Sequence, residues 1–254
     1  MEIPQETAYT GVVMRNSAPV LGLIVPPRAG QVPPEAKHIY PDMNFIARGL
    51  GLMEMVHKDY ERVIADTTDH AMALAASGAD AISLMGTSLS FFKGPEFNDK
   101  LIEKLKSATG LPATTMSQAI IDGLSRFSAK KVAVLSAYET DVNMRLREYL
   151  SAYGIRTTSI AGLNIRNIAD LRNISGEYLL ARSQELLRQS GECDAFLISC
   201  GGLQTIDLAP ILEQDTGIPV ISSAVAGLWS TVGLIGDPKQ RKSFGMLFDH
   251  APAR

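Results

Sequence analysis

Runs of apolar residues alternate along the chain with stretches of amphipathic, helical periodicity. The apolar runs predict buried strands, and the periodic stretches predict helices. The predicted strands are 20–25, 81–85, 113–116, 131–137, 157–161, 195–199 and 219–222. The predicted helices are 58–76, 98–107, 118–127, 142–153, 176–190, 206–214 and one that begins near 224. A loop rich in proline and glycine is predicted from 26 to about 40. Alternation of strand and helix favours parallel sheets that are covered by helices on both faces.

Two segments of the second half repeat segments of the first half. GADAISLMGTS, residues 78–88, aligns without a gap with ECDAFLISCGG, residues 192–202, at a shift of 114. TGLPATTMSQA, residues 109–119, aligns with TGIPVISSAVA, residues 216–226, at a shift of 107. Chance similarity between buried strands is the alternative, but the two matches together indicate an internal duplication.

The duplication predicts two α/β halves of similar topology with a cleft between them. A chain of 254 residues is long enough for two such halves, each with its own core. We expect the first half to span residues 1–129 and the second to span 130–227. The last helix and tail, 228–254, are expected to pack back on the first half.

Composition is that of an ordinary soluble enzyme, with 46% apolar and 20% charged residues. The net charge is −3 and the basic residues are scattered, which argues against a nucleic-acid partner. No stretch reaches the roughly 18 apolar residues that a membrane span needs, and the acidic N-terminus is unlike a signal peptide. Cys193 and Cys200 flank one predicted strand, too far apart for a disulfide. Free thiols predict a cytoplasmic protein.

Cys200 lies where a strand passes into a loop, directly before Gly201 and Gly202. Ligands bind at the carboxyl ends of the strands in open α/β sheets, so this thiol is a candidate for chemistry. The backbone N–H groups of the turn and of the next helix predict a modest lowering of its pKa. Plain core packing is the alternative, and it is the preferred interpretation for Cys193, which lies at the opposite end of the strand.

Gly86, Thr87 and Ser88 follow another predicted strand and offer two hydroxyls and backbone N–H groups. Such a nest of donors suits a carboxylate or an enediolate oxygen. Tyr138 follows a third strand, and its phenol can donate one more hydrogen bond. Under the shift of 114, Gly86 corresponds to Cys200, so only one of the two walls carries a thiol.

Pro26 and Pro27 follow the first strand, and they would form an apolar wall because proline has no N–H to offer. The four histidines show no spacing that is typical of a metal site. Neither a dinucleotide fingerprint nor a P-loop motif is found. We therefore expect no metal and no cofactor.

Four segments give the chain a recognisable family resemblance: SLMGTSLSF, TGLPATTMS, AYETDVNMRL and LISCGGLQTID. The chain resembles the arylmalonate decarboxylases, cofactor-free members of the aspartate/glutamate racemase superfamily. The resemblance extends over nearly the whole chain, from GLIVPPRAG to SFGMLFD. It implies two pseudo-symmetric flavodoxin-like (Rossmann-like) α/β halves, each with a parallel four-stranded sheet, and an active site in the cleft between them.

The resemblance also implies roles for particular residues. Thr87, Ser88 and Tyr138 would form a dioxyanion hole, and Cys200 would protonate the carbanion, with Gly201 and Gly202 beside the substrate. Racemases of the superfamily carry a second cysteine where this chain has Gly86. Residues that match the apolar pocket for the departing carboxylate are Leu52, Met55, Tyr60, Leu89, Ile168 and Leu171. Met55 differs in size from the usual family residue and Arg28 is unexpected, which leaves the substrate range open.

The predicted function is the cofactor-free decarboxylation of α-aryl or α-alkenyl malonates. The resulting enediolate would be protonated on one face, giving a chiral monocarboxylic acid. The expected partner is a small dicarboxylate substrate, and the expected state is a monomer or weak oligomer. One alternative is a maleate isomerase or an amino-acid or hydantoin racemase of the same superfamily. Another is a non-catalytic protein that binds small carboxylates.

Overall fold

Eight short strands form two parallel four-stranded sheets in the computed structural model, which describes residues 18–236 and 241–250. The first sheet has the order β2-β1-β3-β4 and the second has the order β6-β5-β7-β8. The strands are β1 Val20–Val25, β2 Asn44–Gly49, β3 Ala81–Leu84, β4 Ala113–Thr115, β5 Lys131–Ser136, β6 Arg156–Gly162, β7 Ala195–Ser199 and β8 Val220–Ser222. The predicted α/β class with two similar halves is confirmed. The acidic N-terminal segment and residues 251–254 of the tail lie outside the described residues.

Ten α-helices connect and cover the strands in the part of the chain that the structure describes. They are α1 Pro34–Ile39, α2 His57–Ile64, α3 Thr67–Ala76, α4 Thr87–Phe91, α5 Pro95–Thr109, α6 Met116–Arg126, α7 Thr140–Ala152, α8 Gly176–Gln189, α9 Leu208–Thr216 and α10 Ser223–Gly233. Three 3-10 helices add Ile168–Asn173, Lys242–Phe244 and Met246–Asp249. Within 18–236 and 241–250, no helix has both the length and the apolar character that a bilayer crossing requires.

The internal repeat is present in the register of the sheets. Ile82 of β3 pairs with Ala113 of β4, and Phe196 of β7 pairs with Val220 of β8. The shifts of 114 and 107 relate these two pairs residue by residue. Gly86 and Cys200 therefore follow equivalent strands at the facing edges of the two sheets.

The region between β1 and β3 differs from the sequence prediction. The predicted loop contains α1, and it is followed by β2, a strand that the apolar pattern did not predict. β2 pairs on one side only, with β1, and most of its residues are partly exposed, so no buried apolar run marks it. The predicted helix 58–76 is divided into α2 and α3, because a tight turn brings the Thr67 hydroxyl to the carbonyl of Ile64 at 2.7 Å.

α10 and the residues 241–250 that the structure describes contact both halves. α10 is buried along nearly its whole length and packs against α6 and the edge strands β4 and β8. Trp229 Nε1 donates to the carbonyl of His250 at 3.1 Å, and the Glu213 carboxylate accepts from the backbone N–H groups of Val220 and Met246. The division into halves at residues 129 and 130 stays a prediction.

Candidate active site

A cavity of about 380 Å³ lies between the carboxyl ends of the two sheets. Residues that follow β1, β3, β5 and β7 all contribute to its wall. The predicted site residues found in this wall are Pro26, Pro27, Leu52, Met55, Gly86, Thr87, Ser88, Tyr138, Ile168, Leu171, Cys200, Gly201 and Gly202. Tyr60, Leu89 and Arg28 are not part of the wall. The duplicated topology thus brings four strand ends to one enclosed space.

Cys200 directly follows β7, and its backbone has an unusual conformation. Its φ is +147°, in a region that favours glycine, whereas the thiol is 7% exposed and lies inside the cavity wall. The backbone N–H of Cys200 donates to Ser223 Oγ at 3.1 Å, and its carbonyl accepts from Leu203 N–H at 3.2 Å. Such strain costs on the order of 1–3 kcal/mol and persists only where the surroundings enforce it.

Burial raises the pKa of the Cys200 thiol to about 11. A backbone hydrogen bond at Gly202 and a hydrogen bond with Tyr138 act in the opposite direction but do not outweigh the loss of hydration. The sequence prediction of a modestly lowered pKa is therefore wrong, because desolvation dominates. The thiol is protonated at neutral pH, so it is equipped to donate a proton rather than to attack as a thiolate.

Thr87 and Ser88 begin α4, the short helix that follows β3. Ser90 Oγ donates to Ser117 Oγ at 2.7 Å, and Ser117 Oγ donates to the carbonyl of Thr87 at 2.8 Å. The Thr87 hydroxyl lies 2.9 Å from the sulfur of Met116. The first N–H groups of a helix have no partner within the helix, so this fixed turn presents both backbone and hydroxyl donors.

Tyr138 is held by its own loop and by a ring across the cleft. Asn143 Nδ2 donates to the carbonyl of Tyr138 at 3.1 Å, and the N–H of Tyr138 donates to Ser136 Oγ at 3.2 Å. Its ring meets Phe91 edge to face at 5.8 Å. Burial holds the pKa of the phenol well above its ordinary value, so the hydroxyl is a neutral donor. The nearby side chains of Ser199 and Thr87 oppose this rise, which puts the phenol close to the start of α4.

The apolar part of the wall comes from a contact between the two halves. The N–H of Met55 donates to the carbonyl of Arg166 at 2.7 Å, and the N–H of Ile168 donates to the carbonyl of Met53 at 3.0 Å. An ion pair between Glu54 and Arg166, at 3.1 Å, adds to the contact. The Met55 sulfur consequently lies 4.0 Å from the sulfur of Cys200. This contact between the halves brings apolar side chains of both halves close to the Cys200 thiol.

Two predicted residues lie behind the wall. Tyr60 is 1% exposed and packs edge to face on Phe92. Leu89 is also fully buried, and its side chain fills the space that a Cβ at Gly86 would enter. Within the ranges that the structure describes, no group of three or more His, Cys, Asp or Glu side chains is placed to hold a metal ion.

Sequence reasoning did not identify the residues that support the site. Ser90, Ser117, Ser136 and Asn143 fix the donor turns without lining the cavity. The spacing of Ser90 four residues after Gly86, and of Ser117 just past a strand, would have indicated them. Glu35, in the predicted loop, lines the cavity and was also missed.

The fold and the site define an enzyme of the two-lobed α/β class with a protonated cysteine between its lobes. The chain belongs to the arylmalonate decarboxylase family, whose family model matches residues 21–248. It is 41% identical over 240 residues to arylmalonate decarboxylase from Bordetella bronchiseptica, covering 94% of this chain and 100% of the relative. The predicted family and the predicted enzyme class, a decarboxylase, are confirmed.

Solved structures agree with this assignment. One is the liganded form of an arylmalonate decarboxylase double mutant, in which a glycine is changed to cysteine and a cysteine to serine. It matches with a TM-score of 0.89 at 40% identity, over 91% of this chain and 99% of the other. The maleate isomerase Iso from Pseudomonas putida S16 matches with a TM-score of 0.85 over 91% and 98% of the chains. At 20% identity this second likeness shows the fold alone.

Proposed function

We propose that the protein removes one carboxylate from α-aryl or α-alkenyl malonates without a cofactor and yields a single enantiomer of a monocarboxylic acid. The observation that carries this proposal is the asymmetry of the cavity. A buried, protonated thiol shares the space with three hydroxyl donors, and the equivalent position in the other half is a glycine. One face of a planar intermediate would therefore meet an acid, and the other face would not.

In the first step the bond between the α-carbon and one carboxylate breaks, and its electron pair passes into the remaining carboxylate. The product of this step is an enediolate with charge on two oxygens. Thr87, Ser88 and Tyr138 are the donors that would stabilise those oxygens. Loss of one preorganised donor of this kind typically costs about 10²–10³ in rate. An aryl or alkenyl substituent shares the charge, which favours unsaturated substrates.

The departing carboxylate would lie against Leu52, Met55, Ile168 and Leu171. These side chains offer no hydrogen bonds to an anion, whereas neutral CO₂ needs none. Transfer of the charge away from this carboxylate is therefore favoured by its surroundings.

Protonation completes the reaction. Cys200 would donate its proton to the α-carbon, and the resulting thiolate would regain a proton from water. The glycine and cysteine that are changed in the related double mutant lie 114 residues apart in that protein, as Gly86 and Cys200 do here. This equal spacing supports equivalent positions in the two chains. The two free cysteines support our further proposal of a cytoplasmic enzyme, which would act as a monomer or weak oligomer.

The test is CO₂ release from a panel of aryl-, alkenyl- and alkylmalonates without added cofactor, with chiral analysis of the acid formed. We expect turnover of the unsaturated compounds and a single enantiomer. Cys200→Ser should abolish turnover, and Cys193→Ser, the matched control at the other end of β7, should retain it. A racemic product, or turnover of maleate in place of malonates, would contradict the proposal.

A further inference from the structure

One carboxyl group in the cavity wall has no role in the proposed reaction. Glu35 is the second residue of α1, is 6% exposed and lines the same cavity as Cys200. Among residues 18–236 and 241–250, no other side chain forms an ion pair or hydrogen bond with its carboxyl group. Its hydrogen bond comes from its own backbone N–H, and burial raises its pKa. The preceding Pro33 and Pro34 have no N–H to contribute.

A buried carboxyl group with so few hydrogen-bond partners destabilises the folded protein unless a ligand supplies a hydrogen-bond donor to it. An ionised Glu35 cannot obtain a hydrogen-bond donor from the two carboxylates of a malonate, because they carry the same charge and have no proton to donate. The donors of α4 and Tyr138 are directed at one of these carboxylates, and the apolar wall receives the other. The part of the substrate left to face Glu35 is the α-substituent.

Other polar groups line the same cavity as Glu35. They are Gln31, Arg172 and Gln204, whose side chains are also exposed to solvent. Amide and guanidinium groups of this kind tolerate a polar substituent and would be poor neighbours for a plain hydrocarbon. The wall around the α-substituent is thus of mixed polarity, in contrast to the wall around the departing carboxylate.

We propose that Glu35 is a specificity-determining residue that accepts a hydrogen bond from the α-substituent of the substrate. The substrate class is then a malonate whose aryl or alkenyl group carries a hydroxyl or an amino group. This inference rests on the proposed function for the reaction, but it concerns only which malonates bind best. A site built around a buried acceptor discriminates against analogues that leave the acceptor unpaired.

The kinetic test compares phenylmalonate with its 3-hydroxy, 4-hydroxy, 4-amino and 4-methoxy derivatives. We expect the native enzyme to favour at least one hydroxy or amino compound by about 10- to 100-fold in kcat/KM, as one hydrogen bond to a charged or polar group provides. Glu35→Leu should reduce that preference to near unity, whereas Glu35→Gln, which keeps an acceptor oxygen, should retain part of it. Glu177→Gln removes an exposed carboxylate from α8 and should keep the native preference. The preference is a ratio of the kcat/KM values of two substrates measured on the same variant. A lower fraction of folded enzyme changes both values equally and leaves the ratio unchanged.

A binding measurement separates this inference from the proposed reaction. Calorimetry gives Kd for phenylacetate and for the hydroxy- and aminophenylacetates with the native chain and with Glu35→Leu. The same preference, lost in Glu35→Leu, is expected whether or not any malonate is turned over. Equal Kd and kcat/KM across the panel in the native enzyme, or a preference that persists in Glu35→Leu, would overturn the role of Glu35. Absence of CO₂ release from every malonate would instead overturn the reaction.

Discussion

The strained backbone at Cys200 makes a quantitative prediction about stability. Cys200→Ala and Cys200→Gly both remove the thiol and its contact with Met55, so these losses cancel when the two variants are compared. Alanine retains the strain at φ +147°, on the order of 1–3 kcal/mol, and glycine relieves it. Two effects disfavour the glycine variant: it loses the burial of one methyl group, about 0.8 kcal/mol, and its unfolded chain is more flexible, which costs about 0.4–1 kcal/mol. Together they amount to about 1.2–1.8 kcal/mol, so the size of the relieved strain decides which variant is more stable.

We therefore expect the free energy of unfolding of Cys200→Gly to lie between about 0.8 kcal/mol below and about 1.8 kcal/mol above that of Cys200→Ala. At an unstrained buried position, the same comparison would leave glycine about 1–2 kcal/mol less stable. Urea unfolding followed by circular dichroism and tryptophan fluorescence measures the difference, with equal m-values as the control for two-state behaviour. A glycine variant that is less stable than the alanine variant by 1 kcal/mol or more would show that the backbone at residue 200 is not strained. Both variants should lack decarboxylase activity.

Four further predictions concern the site. Tyr138→Phe should lower kcat about 10²–10³-fold with little change in thermal midpoint, because the ring packing is kept; an unchanged kcat would exclude the phenol. Gly86→Cys should introduce deuterium exchange at the α-carbon of α-arylpropionates, because a second thiol would then face the other side of the intermediate, with Leu89 shifting to admit the new side chain. A folded variant without exchange would contradict the inference that the two strand ends face opposite sides of the intermediate. If Cys200 is the proton donor, it acts in its protonated form, and because its pKa is about 11, kcat should stay constant from neutral pH to about 10 and fall above it; a loss of rate centred near 8.5 would contradict this role. Ser117→Ala should lower kcat and cost about 0.5–1.5 kcal/mol in unfolding free energy, measured in urea, since it removes the hydrogen bonds of the Ser117 hydroxyl while Ser90 Oγ still donates to the carbonyls of Gly86 and Thr87.

The strands that are buried on both faces were predictable from the sequence. β1 and β7 begin and end at the predicted residues, because an unbroken apolar run has few other stable conformations between two covered faces. β2 was not predictable in this way. It lies at a sheet edge with most side chains partly exposed, and its pairing with β1 depends on backbone groups that any sequence provides.

The site was predictable as far as topology determines it. Once the strand ends were located, the parallel topology placed Tyr138 and Cys200 at one edge of the second sheet, and the duplication placed Thr87 at the facing edge of the first. The sign of the thiol's pKa shift was not predictable, since it depends on how deeply the cleft encloses the sulfur. Glu35 was missed for a related reason: a glutamate in a proline-rich segment has the pattern of a solvated loop, and only the packing of α1 buries it.

The residue types at the two equivalent strand ends are the reverse of what the backbone favours. Gly86 has φ −132°, a conformation that any residue adopts, whereas Cys200 has φ +147°, which favours glycine. Stability alone would place the glycine at 200. A Cβ at 86 would press on the flexible end of Leu89, but that contact does not account for a cysteine in the strained position. The assignment is explained if a proton donor is needed at one wall and must be absent from the other. The strained backbone at Cys200 is then tolerated because it allows protonation from one face only, and the same asymmetry predicts a single enantiomer of the product.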